Sequence, residues 1–300
     1  MTSKIGKSGF IGIVGRPNVG KSTLLNRLLG EKVSIVSPKP QTTRFRTLGI
    51  KTVPQAQMVF IDTPGVHSGG SHFSRGLSRV AFQALSESDL ILWMVEPSAD
   101  LDEDDRSLLE EIKKAGRSTF LLINKVDLLP RQMLLPLISQ FSLLASFAEI
   151  VPVSALNGEN IDRLEELIIR YLPEGPPFFP AEQITDQPER LLSAEFIREK
   201  IFQQTHQEIP YAVAVSVDEF QEEKEKGLVV IHATIFVEKE SQKGILIGKG
   251  GATLKRIGES ARREIEALVG CKVYLRLWVK VKKAWRKDQE ALKQLGYWSS

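Results

Sequence analysis

The chain has 300 residues, which suggests about two domains, and its 42% hydrophobic and 26% charged content is ordinary for a globular protein. It has no apolar stretch near the roughly 18 residues of a transmembrane helix, no signal-peptide core and a single cysteine, Cys271, so we expect neither a membrane-spanning nor a disulfide-stabilised secreted protein but a cytoplasmic one. The formal net charge of +3 conceals a basic end, because residues 241–300 carry 14 basic and 5 acidic side chains, a net charge of +9, which predicts contact with an anionic polymer or surface.

The first predicted elements are a strand, a glycine-rich loop and a helix. Residues 10–14 form an apolar run typical of a buried strand, and residues 15–22 fit the phosphate-binding pattern G-x-x-x-x-G-K-[ST]. Helical spacing follows and ends at Gly30, so the loop has the context that the pattern requires. We expect backbone N–H groups and Lys21 to hold phosphates, and the Ser22 hydroxyl to ligate Mg²⁺. The predicted nucleotide contacts in this stretch are Gly15, Arg16, Pro17, Asn18, Val19, Gly20, Lys21, Ser22 and Thr23.

Two further segments are predicted to sense the nucleotide. A strand at 58–61 ends at Asp62, Thr63, Pro64 and Gly65, where an aspartate can hold Mg²⁺ through water and the glycine N–H can bond a γ-phosphate. The polar segment 41–44 contains two threonines, and Thr43 rather than Thr42 is predicted to complete the Mg²⁺ ligands; an ordinary loop threonine is the alternative. The predicted metal ligands are therefore Ser22, Thr43 and Asp62, and the predicted catalytic groups are Lys21, Thr43, Gly65 and Asn18.

A pattern for guanine recognition follows farther along the chain. The apolar strand at 119–123 runs into Asn-Lys-x-Asp at 124–127, at the carboxyl end of a strand, where ligands bind in open α/β sheets. The Asp127 carboxylate can accept two hydrogen bonds from one edge of guanine, a donor pair that adenine lacks. Asn124 is expected to hold the loop and contact the base, and the Lys125 stem to lie along the purine face. Main-chain N–H groups after the next strand are predicted to back the guanine, at Ser154, Ala155 and Leu156.

Strand and helix patterns alternate through the first part of the chain. Predicted strands near 10–14, 58–61, 90–95, 119–123 and 149–153 alternate with predicted helices near 21–29, 74–87, 102–115, 131–143 and 159–171. This alternation is typical of an α/β fold with a doubly wound, mostly parallel sheet. The acidic run 102–105 is predicted to cap a helix, with a metal cluster as the alternative. Four prolines and a glycine lie in 172–180, which predicts a stiff linker at 174–186 between a nucleotide-binding domain, 1–173, and a second domain, 187–300.

The second domain has the element order of an RNA-binding module. Its predicted elements are a helix at 189–207, strands at 211–217 and 228–237, a basic helix from 252 to about 268, a strand at 272–282 and a helix at 285–295. A Gly-x-x-Gly turn at 248–251 precedes the basic helix, an α+β order typical of a type II KH domain, whose turn clamps about four nucleotides. A merely flexible turn is the alternative. The predicted RNA contacts are Ile245, Ile247, Gly248, Lys249, Gly250, Gly251, Lys255, Arg256, Arg262, Arg263, Lys280 and Lys282, with Ile257 expected in an apolar groove beneath the bases.

The last predicted strand, 272–282, alternates without interruption. Its apolar residues are predicted to face the core, and the opposite face is predicted to carry Lys272, Tyr274, Arg276, Trp278, Lys280 and Lys282. Basic residues interleaved with aromatic ones suit contact with phosphates and bases. A solvated face and packing against the other domain are the alternatives, and periodicity does not separate the three.

The motifs at 15–22, 41–44, 62–65, 124–127 and 154–156, followed by the KH pattern, resemble the Era-like family of translational GTPases over nearly the whole chain. The resemblance implies binding of GTP and GDP and hydrolysis of GTP to GDP and phosphate, coupled to binding of small-subunit (16S) ribosomal RNA near its 3′ end and to maturation of the small ribosomal subunit. It also implies peripheral contact with the cytoplasmic membrane. We expect a monomer.

Two other classes of function are weighed against this one. A constitutive RNA-binding scaffold with a purely structural nucleotide site would not need Lys21, Ser22, Asp62 and Asp127, which the chain retains. A metabolic kinase built on the same loop would not need the guanine pattern at 124–127, and no lid for a phosphate acceptor is evident.

The resemblance also raises the question of how the attacking water is oriented. Many GTPases carry a glutamine directly after the Asp-x-x-Gly glycine; here that position is Val66, so slow intrinsic turnover is expected. His67 is one substitute, although a simply exposed histidine is the more common interpretation. Related GTPases without the glutamine hold a K⁺ ion with an asparagine at the position of Asn18, and this chain is predicted either to do the same or to use Asn18 only to stabilise the loop.

Overall fold

The computed structural model describes residues 6–66, 72–98 and 100–297, and the chain divides into two compact units between Asp186 and Gln187. The first unit contains a six-stranded sheet and the second a three-stranded sheet. Within the described residues, no helix is long and apolar enough to cross a lipid bilayer.

The first unit is a sheet with helices on both faces. Its strands are β1 Lys7–Gly15, β2 Thr47–Val53, β3 Ala56–Asp62, β4 Leu90–Val95, β5 Ser118–Ile123 and β6 Glu149–Pro152. Its helices are α1 Lys21–Leu29, α2 His72–Glu87, α3 Glu103–Ala115, α4 Leu134–Ser142 and α5 Ile161–Tyr171. The strand order is β2-β3-β1-β4-β5-β6, and each neighbouring pair is parallel except β2 with β3. The predicted doubly wound, mostly parallel α/β sheet is confirmed.

Apolar packing on both faces of this sheet aligns the predicted loops. Strands β3 and β4 are buried along their whole length, one face of the sheet packs against α1 and α5, and the other packs against α2, α3 and α4. Because β1, β3, β5 and β6 run in the same direction, their carboxyl ends lie at one edge of the sheet. The loops at 15–22, 62–65, 124–127 and 154–156 therefore meet there.

Strand β2 is an element that the sequence analysis did not predict. It pairs antiparallel with β3, from Thr47 opposite Asp62 to Val53 opposite Ala56. Gly49 interrupts its apolar pattern, and a Cβ at that position would lie 2.5 Å from Leu25 Cδ1. The close approach of α1 therefore requires a glycine, and a glycine weakens the pattern by which a strand is recognised.

Residues 174–186, which the sequence predicts as a linker, are hydrogen-bonded to the first unit. The buried Gln57 side chain accepts a hydrogen bond from Phe178 N at 2.7 Å, and Ile50 N donates to Ile184 O at 2.8 Å. Since β2 is an edge strand, the segment covers backbone groups that would otherwise lie open. This differs from the predicted separate connection: the proline-restricted backbone follows the surface of the first unit and belongs to it.

The second unit has the element order of a type II KH domain, as the sequence predicts. Its helices are α6 Glu189–Gln204, α7 Ile209–Ala212, α8 Glu240–Ile247, α9 Ala252–Val269 and α10 Gln289–Gln294, and its strands are β7 Ala214–Glu223, β8 Leu228–Val237 and β9 Lys272–Val281. The central strand β8 is antiparallel to β7 and parallel to β9. Helix α9 packs against both α6 and β9.

Several boundaries in the second unit differ from the prediction; the predicted strand at 211–217 begins only at Ala214, because the residues before it form the short helix α7. Strand β7 continues to Glu223, beyond the predicted end at 217, because charged side chains are tolerated on an exposed edge strand. The predicted closing helix is broken at Asp288, whose carboxylate caps α10 by accepting from Glu290 N at 3.0 Å. Before that break, the buried Trp285 anchors a single turn by donating its Nε1–H to Ala212 O at 2.9 Å.

Candidate nucleotide cleft and RNA groove

The predicted phosphate loop joins β1 to α1 and borders a cleft of about 480 Å³. Its backbone has a positive φ at Gly15, 152°, and at Gly20, 106°, just before α1 begins. A Cβ at Gly20 would lie 2.2 Å from Asn124 Nδ2, so a larger residue does not fit. Of the predicted contacts, those that line the cleft are Pro17, Asn18, Gly20, Lys21, Ser22, Thr23, Thr43 and Gly65. A glycine loop at a helix N-terminus on the rim of a polar cleft is suited to an anionic phosphate chain.

Lys21 is folded back onto the loop. Its side chain is buried, and Nζ donates to Gly15 O at 2.9 Å and to Arg16 O at 2.8 Å. Burial lowers the pKa of the Lys21 ammonium to about 8, and the carboxylate of Asp62 opposes this only in part. Negatively charged phosphate oxygens beside this desolvated ammonium would stabilise its charged form and raise its pKa toward the ordinary value.

Hydroxyl and carboxylate oxygens meet at the start of α1. Ser22 Oγ lies 2.8 Å from Thr43 Oγ1 and donates to Asp62 Oδ2 at 2.8 Å, and Ser34 Oγ donates to the same carboxylate oxygen at 2.7 Å. The other oxygen, Asp62 Oδ1, is buried and has no hydrogen-bond partner among the described residues. Burial raises the pKa of Asp62 despite these bonds. A buried carboxylate oxygen without a donor, next to two hydroxyls, fits a hard cation such as Mg²⁺.

The two threonines of the 41–44 segment point to different places. Thr43 lies against Ser22, whereas Thr42 Oγ1 donates to Lys39 O at 2.6 Å within the same loop. Ser34, which shares Asp62 with Ser22, was not identified from the sequence, because a single loop serine carries no recognisable pattern.

Arg16 connects the phosphate loop to the start of α3. Its guanidinium pairs with the Asp102 carboxylate and lies 3.4 Å from Asp105 Oδ2. Asp102 also caps α3 by accepting from Asp105 N at 3.0 Å, which confirms the predicted cap. Burial raises the pKa of Asp105 to about 6, and the nearby Arg16 opposes the shift. Within the described residues, no three or more acidic, histidine or cysteine side chains are grouped as metal ligands, and the contacts of Asp102 and Asp105 are with α3 and Arg16.

The segment after β3 packs tightly against the phosphate loop. Thr63 Oγ1 donates to Ile13 O at 2.9 Å, Pro64 is buried, and a Cβ at Gly65 would lie 2.5 Å from Pro17 N. Val66 is 4% exposed and packs in the apolar core, so its side chain is turned away from the cleft. His67, the alternative water-orienting residue, lies outside the described residues.

Asn18 connects the phosphate loop to the segment before Thr43. Its backbone has a φ of 66°, and its Nδ2 donates to Pro38 O at 2.8 Å. The side chain is exposed at the rim of the cleft. This contact supports the loop-stabilising interpretation and leaves the amide Oδ1 as the atom of Asn18 with the chemistry of a cation ligand.

The Asn-Lys-x-Asp segment fastens three loops together. The Asn124 side chain donates to Val19 O at 2.6 Å and accepts from Ala155 N at 2.9 Å, so it holds the phosphate loop and the 154–156 loop at once. Lys125, in a left-handed conformation with a φ of 62°, pairs with Glu96. Asp127 is exposed in the turn that follows β5, where its carboxylate is available to a ligand.

The 154–156 loop is held from the side of α1. Ser154 and Ala155 are buried, whereas Leu156 is 68% exposed. Arg27 donates Nε to Ala155 O at 3.3 Å and a second nitrogen to Leu156 O. Arg27 and Glu96 were missed because neither belongs to a motif; only their long-range contacts reveal their role.

The Gly-x-x-Gly turn of the second unit is an exposed loop between α8 and α9. Gly248, Gly250 and Gly251 have φ values of 71°, 59° and 80°, and Lys249 and Gly250 are exposed. A Cβ at Gly248 would lie 2.3 Å from Thr253 Oγ1. Such a backbone, free of side chains at three positions, is suited to close approach by a phosphodiester.

An open groove lies between α9 and β9 next to this turn. Its lining residues are Gly251, Leu254, Lys255, Gly258, Glu259, Arg262, Leu275, Arg276 and Leu277. The prediction that Ile257 contributes to the groove is wrong, because Ile257 is fully buried in the core. Residues three and four apart on a helix share a face, and this spacing groups Leu254, Lys255, Gly258 and Arg262. The spacing alone does not say that this face lines the groove; the packing of α9 does.

The predicted RNA contacts fall into separate places. Of the four basic residues of α9, Lys255 and Arg262 line the groove, whereas Arg256 donates Nε to Gln204 Oε1 at 2.9 Å, and Arg263 is one heptad from Arg256, on the same flank. The four basic residues of α9 therefore lie on two neighbouring flanks of the helix, of which one lines the groove. Four others outside the turn do not line this groove: Ile245 is 53% exposed and Ile247 is half-buried on α8, Lys280 is exposed on β9, and Lys282 donates Nζ to Gln294 Oε1 at 3.0 Å.

Comparison with known proteins places both units in known families. The sequence profile of a family described as 50S ribosome-binding GTPase matches residues 10–125, and that of the KH domain matches 208–286. The chain is 52% identical to GTPase Era of Geobacter metallireducens over 291 residues, 97% of this chain and 98% of the relative, and 52% identical to GTPase Era of Geotalea uraniireducens over 297 residues, 99% and 100% of the two chains.

Two solved structures are similar over both units. One is Era in complex with MgGDPNP and nucleotides 1506–1542 of 16S ribosomal RNA, with a TM-score of 0.94 and 44% identity, covering 97% of this chain and 99% of that one. The other is a variant of Era from Aquifex aeolicus bound to GDP·AlF₄⁻, with the same TM-score, identity and coverage.

Proposed function

This chain belongs to the Era family of GTPases, and we propose that it is a GTP-hydrolysing switch that binds 16S ribosomal RNA near its 3′ end and couples its nucleotide state to maturation of the small ribosomal subunit. The observation that carries the proposal is the presence, on one chain, of a guanine-nucleotide cleft and a Gly-x-x-Gly groove, together with the similarity of the chain to a relative that was solved with a GTP analogue and nucleotides 1506–1542 of that RNA.

The phosphate end of the cleft is suited to hold the triphosphate and Mg²⁺. Backbone N–H groups at the start of α1 and the Lys21 ammonium would bind the β- and γ-phosphates. Ser22, Thr43 and Asp62 would hold Mg²⁺, and the buried Asp62 Oδ1 without a hydrogen-bond donor supports that assignment. When bound, this ion would neutralise charge that develops on the phosphates.

Two segments give the cleft the parts of a switch. Thr43 belongs to the loop before β2, and its Oγ1 lies 2.8 Å from Ser22 Oγ. Gly65 follows β3, and the next residue, Val66, donates its N–H to Gly15 O of the phosphate loop at 3.3 Å. A γ-phosphate would add contacts to both segments, and its loss on hydrolysis would remove them. The conformations of these two segments would therefore differ between the GTP-bound and GDP-bound states.

The base end of the cleft is suited to guanine. Asp127 would accept from the two N–H groups of guanine, with the Lys125 stem along the purine and the Leu156 N–H behind it. The Ala155 N–H donates to Asn124 Oδ1, which holds this loop beside the base. Because Asn124 ties this end to the phosphate loop, the base and phosphate contacts are held in one rigid frame.

We expect slow intrinsic hydrolysis because of Val66. Many GTPases have at this position a glutamine that orients the attacking water, whereas the Val66 side chain is apolar and packed in the core. We include in the proposal an activating K⁺ ion near Asn18, which would place positive charge beside the transferred phosphoryl group. Hydrolysis should then be faster in KCl than in NaCl at equal ionic strength, and Asn18→Ala should remove most of the difference. Equal rates in both salts with Mg²⁺ saturating would leave Asn18 with its contact to Pro38 alone and turn attention to His67.

The coupling of the two sites is tested with the RNA segment 1506–1542 and the full chain. Affinity should differ between the GTP-analogue and GDP states, and small ribosomal subunits should change the rate of hydrolysis. Replacing Lys249 and Gly250 by Asp should abolish RNA binding and leave basal hydrolysis intact, because the turn lies on its own unit.

A matched control is available in the turn between β7 and β8. Lys226 and Gly227 form the same dipeptide, and the φ of Gly227, 57°, is close to the 59° of Gly250. Replacing both by Asp makes the same change of charge in the same backbone geometry, and it should leave RNA binding unchanged. If both double variants bind RNA equally, the Gly-x-x-Gly turn is not the RNA site.

Peripheral membrane contact and the monomeric state remain predictions of the family resemblance. The basic end of the chain, with a net charge of +9 in 241–300, is the feature that supports contact with anionic lipid. Sedimentation with anionic vesicles, with and without saturating RNA, measures whether lipid and RNA compete for this basic end of the chain.

A further inference from the structure

A second surface of the KH unit lies on the side of its sheet opposite to α9. We call it the outer sheet face; it is formed by Tyr274, Arg276, Trp278 and Lys280 of β9 with His232 and Phe236 of β8. The intervening residues Val273 and Val279 are buried toward the helices. The RNA groove between α9 and β9 does not require aromatic residues on the opposite face of the strand.

The rings of this face form a supported platform. The His232 ring meets Trp278 edge-on, with centroids 5.2 Å apart and planes at 87°, and the Arg276 guanidinium lies 4.9 Å from the Trp278 centroid. His232 is fixed in turn by Glu219, with Nδ1 2.7 Å from Oε2. Tyr274 lies beside this group, 6.4 Å from the His232 centroid, and is 52% exposed. A rigid aromatic group with one exposed ring is suited to stack an unpaired base.

The charges of the face are complementary to a phosphate backbone. Arg276 and Lys280 are exposed on it. The acidic neighbours on β7 are engaged, Glu219 with His232 and Asp218 as acceptor of Thr234 Oγ1 at 2.6 Å. Asp218 and Glu219 are themselves exposed on β7, so the positive charge of this face lies along β9, at the other edge of the sheet.

The face is continuous with the RNA groove at one residue. Strand β9 is the edge strand of the sheet, and Arg276 both lines the groove and lies over Trp278. An RNA strand that leaves the groove would contact Arg276 first and then the aromatic rings of the outer sheet face. From Tyr274 to Lys280 the face extends for roughly 20 Å, six residues along a strand, beyond the about four nucleotides that a KH groove holds.

We propose that single-stranded RNA leaving the groove turns around the edge of β9 and continues on the outer sheet face, with a base stacked on Tyr274 and phosphates bound by Arg276 and Lys280. The inference rests on the proposed RNA-binding function. It makes the KH unit a site for a longer strand than its groove holds.

The test uses the full chain and two lengths of RNA. Ten-nucleotide fragments that tile the 1506–1542 segment identify the tightest binder, which is then trimmed to the four nucleotides that depend on Lys249 and Gly250. Tyr274→Ala should weaken binding of the long fragment roughly tenfold, the usual effect of losing one stacked base. It should leave the short fragment unaffected.

Conservative variants separate the contacts. Tyr274→Phe keeps the ring and should retain the affinity of the natural chain. Lys280→Gln should lower the salt dependence of long-fragment binding by about 0.7 in the slope of log K against log salt, the value for one phosphate of a single strand. Lys224→Gln, in the turn at the opposite end of β8, should leave that slope unchanged. Binding of the short fragment by every variant checks that the KH unit is folded, because that fragment occupies the groove alone.

The outcomes distinguish this inference from the function on which it rests. If neither RNA binds the natural chain, the proposed function fails. If both bind equally well, if Tyr274→Ala weakens both alike, or if it weakens neither, RNA does not extend onto the outer sheet face and the inference is overturned. If Tyr274→Ala spares RNA binding but reduces binding to phosphatidylglycerol vesicles, the face is a membrane contact and the inference is again overturned.

Discussion

The nucleotide cleft and the RNA groove are built in opposite ways. In the cleft, Lys21 is 6% exposed and Asp62 is fully buried, and their side chains are bonded to other functional residues. In the groove, Lys255 has a side chain that is 78% exposed, and the Gly-x-x-Gly turn contributes backbone rather than side chains. One site is an internal network and the other is an open surface.

The difference follows from what each site has to do. A reacting phosphate needs charges and dipoles held in place in a site that excludes water, so burial and mutual hydrogen bonds are useful there. An RNA strand is long, flexible and charged, so an exposed groove with mobile cations binds it at low cost. We therefore expect changes in the cleft to alter chemistry and specificity steeply, and changes in the groove to alter affinity moderately without loss of fold.

The largest effect is expected at the base end of the cleft. Asp127→Asn removes the acceptor pair for guanine and should favour xanthosine triphosphate, changing the ratio of the two affinities by roughly 10⁴, as for sites built around a hydrogen-bonded pair. Because Asp127 is exposed, the variant should fold normally. Competition between the two nucleotides measures the ratio, and Asp162→Asn, another exposed aspartate, is the control. A variant that still prefers GTP would refute the role of Asp127.

A smaller effect is expected from the proton on Lys21. Burial lowers the pKa of Lys21 to about 8 in the nucleotide-free cleft, and phosphate charge next to the ammonium should raise it. Affinity should be constant below about pH 8, where the free protein is already protonated, and fall by up to tenfold per pH unit above it, because binding then takes up a proton.

Calorimetry in buffers of different ionisation enthalpy measures this proton uptake directly. Lys21→Arg should bind more weakly but lose the pH dependence, since a guanidinium stays charged. An affinity that does not change up to about pH 10, the ordinary range of a lysine pKa, would mean that the ammonium is not desolvated in the free cleft.

The smallest effect is expected in the groove, where a substitution should weaken RNA binding without lowering thermal stability. A Cβ at Gly258 would lie 3.4 Å from Leu277 Cδ1, so Gly258→Leu would occupy the groove without displacing the backbone. RNA affinity should fall roughly tenfold, while thermal stability should be unchanged or higher, because glycine costs about 1 kcal/mol in a helix. Gly244→Ala, where a Cβ meets nothing within 4 Å, should raise stability alone. A loss of stability in Gly258→Leu would show that the groove is packed more tightly than an open surface.

Local patterns were sufficient where a site is formed by consecutive residues. The phosphate loop, the Asn-Lys-x-Asp turn and the Gly-x-x-Gly turn each depend on a backbone conformation that a few adjacent residues specify, so all three are at their predicted positions. The same reasoning failed for Ile257, because helical spacing defines a face without saying which face meets the sheet.

The sequence by itself determined the fold class, the guanine nucleotide as ligand and the KH module, because strand and helix periodicity and glycine turns are properties of short segments. Only the tertiary structure decided that Ser34 shares Asp62 with Ser22, that Arg16 pairs with Asp102, and that Arg276 joins the groove to the outer sheet face. These contacts join residues far apart in the chain or on two elements, and their geometry depends on how helices pack on a sheet and how strands are registered. Neither quantity is encoded in the spacing of residues along one segment.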